Sequence, residues 1–154
     1  MALPVATARQ SIQSAIEQRV EAQWLDGGNL RTAVQFPGVV GLKDTNGQII
    51  TAPPPGAPWL QVDVIWGASL EATFGTIAEN INAALIQLSV FVPRSLGKAQ
   101  LNTLVGLAAA IFDRYNANNL RCRASDLGPD IGSGGYLQGT ARTRFEFYTE
   151  AANQ

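Results

Sequence analysis

Pro58-Trp59-Leu60-Gln61-Val62-Asp63-Val64-Ile65-Trp66 is the most informative segment of this chain. Its apolar side chains alternate, so that Leu60, Val62, Val64 and Trp66 share one face of an extended strand. The opposite face is mixed, which indicates that this side of the strand is partly covered as well. The segment therefore predicts a β-strand at the centre of a sheet.

Two segments that follow extend this pattern. Residues 84–92 alternate in the same way, and Pro93 ends that strand because proline lacks a ladder donor. The next segment, residues 98–115, repeats apolar residues at helical spacing and predicts an amphipathic helix. The repeating residues are Leu101, Leu104, Val105, Ala108, Ile111, Phe112 and Tyr115. The centre of the chain thus reads as strand, strand, helix.

The flanking segments complete a single domain. Thr7, with Gln10 three residues later, predicts the start of a first helix that ends near Trp24 or Leu25. Further strands are predicted over residues 32–36, 70–77, 120–125 and 137–149, with a flexible loop over residues 126–135. Since no linker separates two cores, residues 1–154 form one α+β domain, an antiparallel or mixed sheet packed against two main helices.

Composition excludes several kinds of chemistry. The 154 residues carry a net charge of −1, contain no histidine and contain a single cysteine, Cys122. Ser-His-Asp and Cys-His catalytic arrangements and Cys/His zinc sites therefore cannot be built from one copy of the chain. Lys98 follows Gly97, but the other positions of a phosphate loop do not match. We expect no cofactor, no bound metal, no membrane association and synthesis as a soluble cytosolic protein.

Residues 38–58 are the most loop-like part of the chain. Asn46-Gly47 predicts a hairpin turn, and Pro53, Pro54 and Pro55 predict a stiff extended segment. Two interpretations remain open for this region. It is either a mobile surface loop or an arm that reaches a neighbouring subunit.

Four arginines follow two predicted strands at every second position. They are Arg121, Arg123, Arg142 and Arg144. If the two strands are neighbours, the four side chains form a basic strip that could meet DNA phosphate or an acidic partner. The alternative is an ordinary solvated sheet face. Asp63, Glu71 and Glu79 could act as acids or bases, but nothing in the sequence pairs them.

The chain resembles the tail terminator (tail completion) proteins of bacteriophages. The resemblance rests on the Pro58–Val64 strand, on Leu88-Ser89-Val90-Phe91-Val92-Pro93, and on Gly97-Lys98-Ala99 opening the helix that ends at Ile111-Phe112. It implies an α/β subunit of a hexameric ring, a virion protein assembled in the host cytoplasm, which stops polymerisation of the tail tube. The implied partners are copies of itself, the tail tube protein and a head-completion or connector protein, with DNA only as cargo passing through the ring. The resemblance also implies that there is no catalytic site.

Residues at strand ends and in long loops are the candidate contacts for subunits or tube. They are Trp59, Asp63, Arg94, Lys98 and the Gly41–Pro58 loop with its prolines Pro53, Pro54 and Pro55. Other functions remain open at this point. They are another head-tail connector of the neck, a nucleic-acid-binding module that uses the arginine strip, and an enzyme that works without histidine.

Overall fold

A computed structural model describes residues 5–71, 79–117 and 119–150 of the chain. The helices are α1 (Val5–Gln23) and α2 (Gly97–Phe112), and a short 3-10 turn at Arg94–Leu96 precedes α2. The strands are β1 (Leu25–Asp26), β2 (Asn29–Leu30), β3 (Ala33–Gln35), β4 (Leu42–Lys43), β5 (Ile49–Ile50), β6 (Trp59–Glu71), β7 (Glu79–Pro93), β8 (Asn116–Ala117), β9 (Leu120–Leu127), β10 (Ile131–Ser133) and β11 (Tyr136–Glu150).

Three long antiparallel strands form the centre of the main sheet. Within the described residues the order across this sheet is β5-β4-β3-β6-β7-β11-β9-β8, and β10 pairs with β11 beyond the end of β9. The pairing of β3 with β6 is parallel, so the sheet is mixed. The strands β1 and β2 form a separate small hairpin after α1. The predicted α+β class, a mixed sheet with two main helices, is confirmed.

Both helices pack on the same face of this sheet, which we call the covered face. The α1 side chains that face it include Ile16 and Val20, and α2 contributes Leu101 and Phe112, all fully buried. They meet alternate residues of the central strands, such as Ile86 of β7. Side chains on one face recur every second residue along the strands and about every 3.6 residues along the helices. The facing side chains of the sheet and the helices therefore build one core between two layers.

The opposite face of the sheet, which we call the bare face, has no helix over it in the described part of the chain. Cross-strand partners in an antiparallel sheet point to the same side, so Ile65, Leu85 and Arg144 share one row across this face. Ile65 is 51% exposed there. The face of the Pro58–Trp66 segment that carries both polar and apolar side chains is therefore part of this bare face.

The strand β6 is longer than the sequence indicated. We predicted a turn after Trp66 and a new strand over residues 70–77, but β6 runs on to Glu71 through a bulge between Trp66 and Ser69. At Gly67 any Cβ would lie 2.6 Å from the carbonyl oxygen of Ala83, so the strand passes its partner only because this residue is glycine. Residues 72–78 lie outside the described residues.

Three other predictions of local structure need correction. α1 begins at Val5, ahead of the predicted cap at Thr7. α2 ends at Phe112, before Tyr115, because Asp113 is extended and Arg114 takes a positive φ of 53°. The flexible loop predicted over residues 126–135 is wrong, because β9 continues to Leu127 and β10 pairs with the start of β11. β10 and β11 form a local hairpin, and its turn contains Gly134 at a positive φ of 59°.

Candidate interaction surface

Trp59 and Phe91 form a stacked aromatic pair at one end of the bare face. The two residues are directly paired across β6 and β7, and their rings lie 4.2 Å apart with an angle of 9° between the planes. Both side chains remain partly exposed. We call this pair the aromatic end of the sheet, and it presents a rigid apolar patch to any neighbouring molecule.

Arg94 and Lys98 lie at the corner between β7 and α2, close to the same end. Arg94 donates from Nε to the carbonyl oxygen of Gly134 over 2.8 Å, and its backbone N–H bonds to the carbonyl of Gly135. Lys98 Nζ lies 3.6 Å from Asp130 Oδ2. These contacts tie the corner to the β10–β11 hairpin. Arg94 and Lys98 therefore hold the corner in place through these contacts. Both residues are exposed, so they are also accessible at the surface of the protein.

The proline segment leads into the aromatic end through a turn. Pro55 and Gly56 are its central residues, the Ala57 N–H bonds to the Pro54 carbonyl over 3.4 Å, and Gly56 has a φ of 70°. A turn with proline before a glycine of positive φ is of type II. The stiff extended segment predicted for Pro53, Pro54 and Pro55 is therefore wrong, because the chain turns back toward Trp59. Pro53 and Pro54 are partly buried and Pro55 is exposed.

Asp63 lies on the bare face, two rows from the aromatic end along β6. Its cross-strand partner is Gln87, and partial burial raises the pKa of the Asp63 carboxyl above its usual value. It makes no ion pair among the described residues. A half-buried carboxylate of this kind is a candidate for pairing with a positively charged partner.

The structure brings the four arginines of the predicted strip onto neighbouring strands. Arg121 pairs directly with Glu146, and Arg142 pairs with Asp126. Acidic residues are interleaved with them, since Arg123 forms an ion pair of 2.6 Å with Glu146 and Arg142 one of 3.2 Å with Asp126. The Glu146 carboxylate also raises the pKa of Arg123. The strip is therefore a surface of mixed charge.

Arg121 and Arg144 are the members of the strip without an ion-pair partner in the described part of the chain. The guanidinium of Arg121 lies over the ring of Tyr148 at 5.3 Å. Sequence reasoning missed this aromatic contact and missed the pairing of Phe91 with Trp59. The residues of both contacts occupy alternate positions of predicted strands. Which of them meet depends on the register between the strands, which the sequence does not show.

The groove beside α1 offers little for chemistry. It has a volume of about 340 Å³ and lies between α1 and the segment that carries Tyr115 and Leu120. Arg19 lies inside it, bound through Nε to the Ile111 carbonyl at 3.0 Å and stacked at 3.8 Å on Tyr115. Close by, burial raises the pKa of the Cys122 thiol to about 12, so this cysteine behaves as a core residue.

No group of three or more metal-ligating side chains occurs in residues 5–71, 79–117 or 119–150. None of the helices within those ranges has the length and apolar character needed to cross a membrane.

Comparison with known proteins defines the fold class of the chain. No family model and no curated protein matches the sequence. A solved structure, of a protein whose name carries no functional description, matches 90% of this chain and 94% of its own length, with a TM-score of 0.61 and 15% identity. At that identity the likeness shows the fold alone: a mixed sheet with helices on one face.

Proposed function

We propose that this protein is a structural subunit of a bacteriophage tail, a terminator that forms a ring on the tail tube and stops its polymerisation. The observation that carries the proposal is the one-sided sheet, whose second face ends in the partly exposed stack of Trp59 on Phe91. The resemblance of Pro58–Val64, Leu88–Pro93 and the opening of α2 to tail terminators names the assembly. In this proposal the ring also receives the head-completion protein, and DNA only passes through it.

The bare face supports a protein that works by contact. Two helices on one side of a sheet suffice for a core, as the full burial of Ile86 and Phe145 indicates. The other face then remains available for neighbouring molecules, and its partly apolar rows are typical of surfaces that become buried in an assembly. A ring subunit needs such surfaces on both flanks and at both ends.

The aromatic end is the part of this surface that we assign to the tail tube. Aromatic side chains that are already held in place lose little conformational freedom on binding, and they dominate many interfaces. Trp59 is fixed by its stack on Phe91, the nearby Arg94 adds positive charge, and Lys98 and Asp130 form an ion pair at the same corner. Together they offer an apolar centre with a polar rim.

A nucleic-acid-binding function receives less support from the arginine strip. The ion pairs of Arg123 with Glu146 and of Arg142 with Asp126 remove much of the positive field that phosphate binding requires. A neck component other than a terminator would use the same kinds of surface. It differs from the proposed function in its partner, which the following experiment decides.

The test adds the purified protein to polymerising tail tube protein from the same virus. Tube length is measured by negative-stain electron microscopy. We expect shorter tubes of uniform length with a ring of density at one end, and we expect Trp59→Ala to restore long tubes because the aromatic end is lost. Tyr148→Ala serves as the matched control, since Tyr148 lies on the same face near the other end of β11.

Two results would contradict this proposal. Tubes that grow to the same length with and without the protein would exclude a terminator. If the protein instead binds only an isolated connector, the neck interpretation replaces it.

A further inference from the structure

The groove beside α1 contains a positive charge without a negative partner. Arg19 lines this groove, whose volume is about 340 Å³. Within the described part of the chain Arg19 makes no ion pair, and none of the described side chains that line the groove is acidic. The groove therefore offers an unmatched positive charge to a molecule that enters it.

The guanidinium of Arg19 is held in place from two sides. Its Nε donates to the carbonyl oxygen of Ile111 over 3.0 Å, and its Cζ lies 3.8 Å from the centre of the Tyr115 ring. The side chain is partly buried, and its two Nη groups make no hydrogen bond among the described residues. Because the carbonyl and the ring fix the guanidinium, the Nη groups form a preorganised fork of the kind that recognises a carboxylate.

The walls of the groove leave room beside this fork. On α1 the exposed residues Ser11, Ala15 and Ala22 have short side chains, and their spacing places them along one side of the helix. The opposite wall includes Tyr115 and Leu120. Sites for small ligands have volumes of about 300–1,000 Å³, so a groove at the lower end of this range accommodates a few residues of an extended peptide.

A single carboxylate on a peptide matches this groove better than a nucleic acid does. A phosphate backbone carries a charge at every nucleotide and is bound by several cations together. Arg19 is the one cation among the described side chains that line the groove. The apolar residues around it, such as Ile12 and Ala15, instead suit an Asp or Glu residue with small apolar neighbours.

We propose that the groove beside α1 binds a short acidic segment of a partner protein. One Asp or Glu carboxylate of that segment accepts hydrogen bonds from both Nη groups of Arg19, and its small neighbours pack against Ala15 and Ala22. Since α1 lies on the covered face of the sheet, this site is separate from the aromatic end. The inference goes beyond the terminator function, does not depend on it and is tested without a tail tube.

A pair of blocked peptides tests the site directly. Both consist of alanine with one central residue, which is glutamate in the first peptide and glutamine in the second. Each is titrated into isotopically labelled protein, and backbone amide shifts are followed by NMR. We expect the glutamate peptide to shift the amides of α1 and of Tyr115. The glutamine peptide should bind about tenfold more weakly, because it lacks the charged acceptor.

A matched pair of variants at Ala15 competes for the guanidinium from within the chain. Ala15→Glu places a carboxylate four residues before Arg19 on the same helix, where the two side chains pair. Ala15→Gln has the same bulk without the charge. Ala15 is exposed, so both variants should keep the fold, which circular dichroism checks. The glutamate peptide should bind about tenfold more weakly to Ala15→Glu than to Ala15→Gln, because the new carboxylate occupies Arg19 and repels the peptide.

Removal of the guanidinium tests the same contact from the other side. Arg19→Gln also loses the bond to the Ile111 carbonyl, so its stability should fall. The ratio of the two peptide affinities separates these effects, since a loss of stability weakens both peptides equally. We expect this ratio to fall from about ten to about one. If Arg19→Gln does not fold, the pair of variants at Ala15 decides.

Four results would overturn the inference. They are equal binding of the two peptides to the wild type, and no shift by either peptide at millimolar concentration. A preference for the glutamate peptide that survives in Ala15→Glu would place the peptide elsewhere. Sodium acetate that shifts the same amides with the same affinity would indicate an adventitious ion only. Displacement of the glutamate peptide by a single-stranded oligonucleotide would likewise contradict the inference and assign the groove to nucleic acid.

Discussion

The covered and bare faces of the central sheet are formed by the same strands but differ in how deeply their apolar side chains are buried. In β7, Ile86 and Val90 on the covered face are fully buried, whereas Leu85 and Phe91 on the bare face remain partly exposed. Both sets are apolar and alternate along one strand. Burial is therefore set by the side of the sheet, because the core lies between sheet and helices and the apolar residues opposite stay in partial contact with solvent.

The largest effect should follow from truncating matched aromatic residues on the two faces. Phe145→Ala removes a ring that is 1% exposed and packed against Trp66, so we expect a loss of about 3–5 kcal/mol in the free energy of unfolding. Phe91→Ala on the bare face should cost about 1 kcal/mol, the scale of a surface aromatic pair. Urea denaturation of both variants at low protein concentration measures the difference. Equal losses would remove the distinction between the faces.

A steric change at the contact between α2 and the sheet should have the next largest effect. A Cβ on Gly139 would lie 2.5 Å from Val105 Cγ2 and 3.3 Å from Leu101 Cδ1. Gly139→Ala should therefore force α2 away from the covered face at a cost of about 1–3 kcal/mol. Gly135→Ala is the control, since no atom lies within 4 Å of its added Cβ. If thermal denaturation finds both variants as stable as the wild type, the close approach of α2 is wrong.

A buried hydrogen bond tests how polar groups are satisfied on the covered side. The indole N–H of Trp24 donates to Thr32 Oγ1 at 3.0 Å, and both residues are buried. Thr32→Val keeps the shape but leaves that N–H without its acceptor, which should cost about 1–3 kcal/mol. Thr103→Val on the exposed side of α2 should stay within about 0.5 kcal/mol of the wild type in the same denaturation experiment.

The smallest effect concerns the charge of Asp63 on the bare face. Burial raises its pKa in the folded state, so the folded protein binds the proton more tightly than the unfolded chain, and stability falls as pH rises through the folded pKa. At pH 7 the urea midpoint of Asp63→Asn should therefore be slightly higher than that of the wild type. The gain in the free energy of unfolding should be up to about 0.5 kcal/mol, because solvent screens this partly exposed carboxylate.

The gain from Asp63→Asn should disappear well below pH 3.8, the usual pKa of the group, where Asp63 is protonated in both states. A gain that persists there would show that the raised pKa is not its cause. The measurement needs dilute protein, because association would add the energy of the partner contact.

The sheet and helices could be predicted wherever local pattern and burial agree. The alternation of residues 59–66 and 84–92 and the helical spacing of residues 98–115 needed no tertiary information. The two strands and the helix are confirmed, although the helix ends at Phe112. The Asn46-Gly47 hairpin between β4 and β5 is confirmed as well, supported by Asp44 Oδ1, which accepts hydrogen bonds from the backbone of Asn46 and Gln48.

The residues of the candidate surface were proposed from the sequence, which does not give their arrangement. Trp59, Arg94 and Lys98 come together near one end of the sheet, while Asp63 lies farther along β6. The arginine strip forms on neighbouring strands, yet Glu146 and Asp126 neutralise part of it. Charge balance depends on which residues face each other across strands, and register is not visible in one strand at a time.

Side-chain periodicity and residue types act locally, so the sequence alone predicted the central strands and both helices and excluded histidine-based chemistry within one copy of the chain. That both helices cover one face of the sheet and that Trp59 stacks on Phe91 became visible only in the folded structure. Those features depend on strand order and register across distant parts of the chain. Within the strand Trp59–Trp66, the side chains of Leu60 and Val62 therefore lie in the core, whereas Ile65 on the opposite face is 51% exposed.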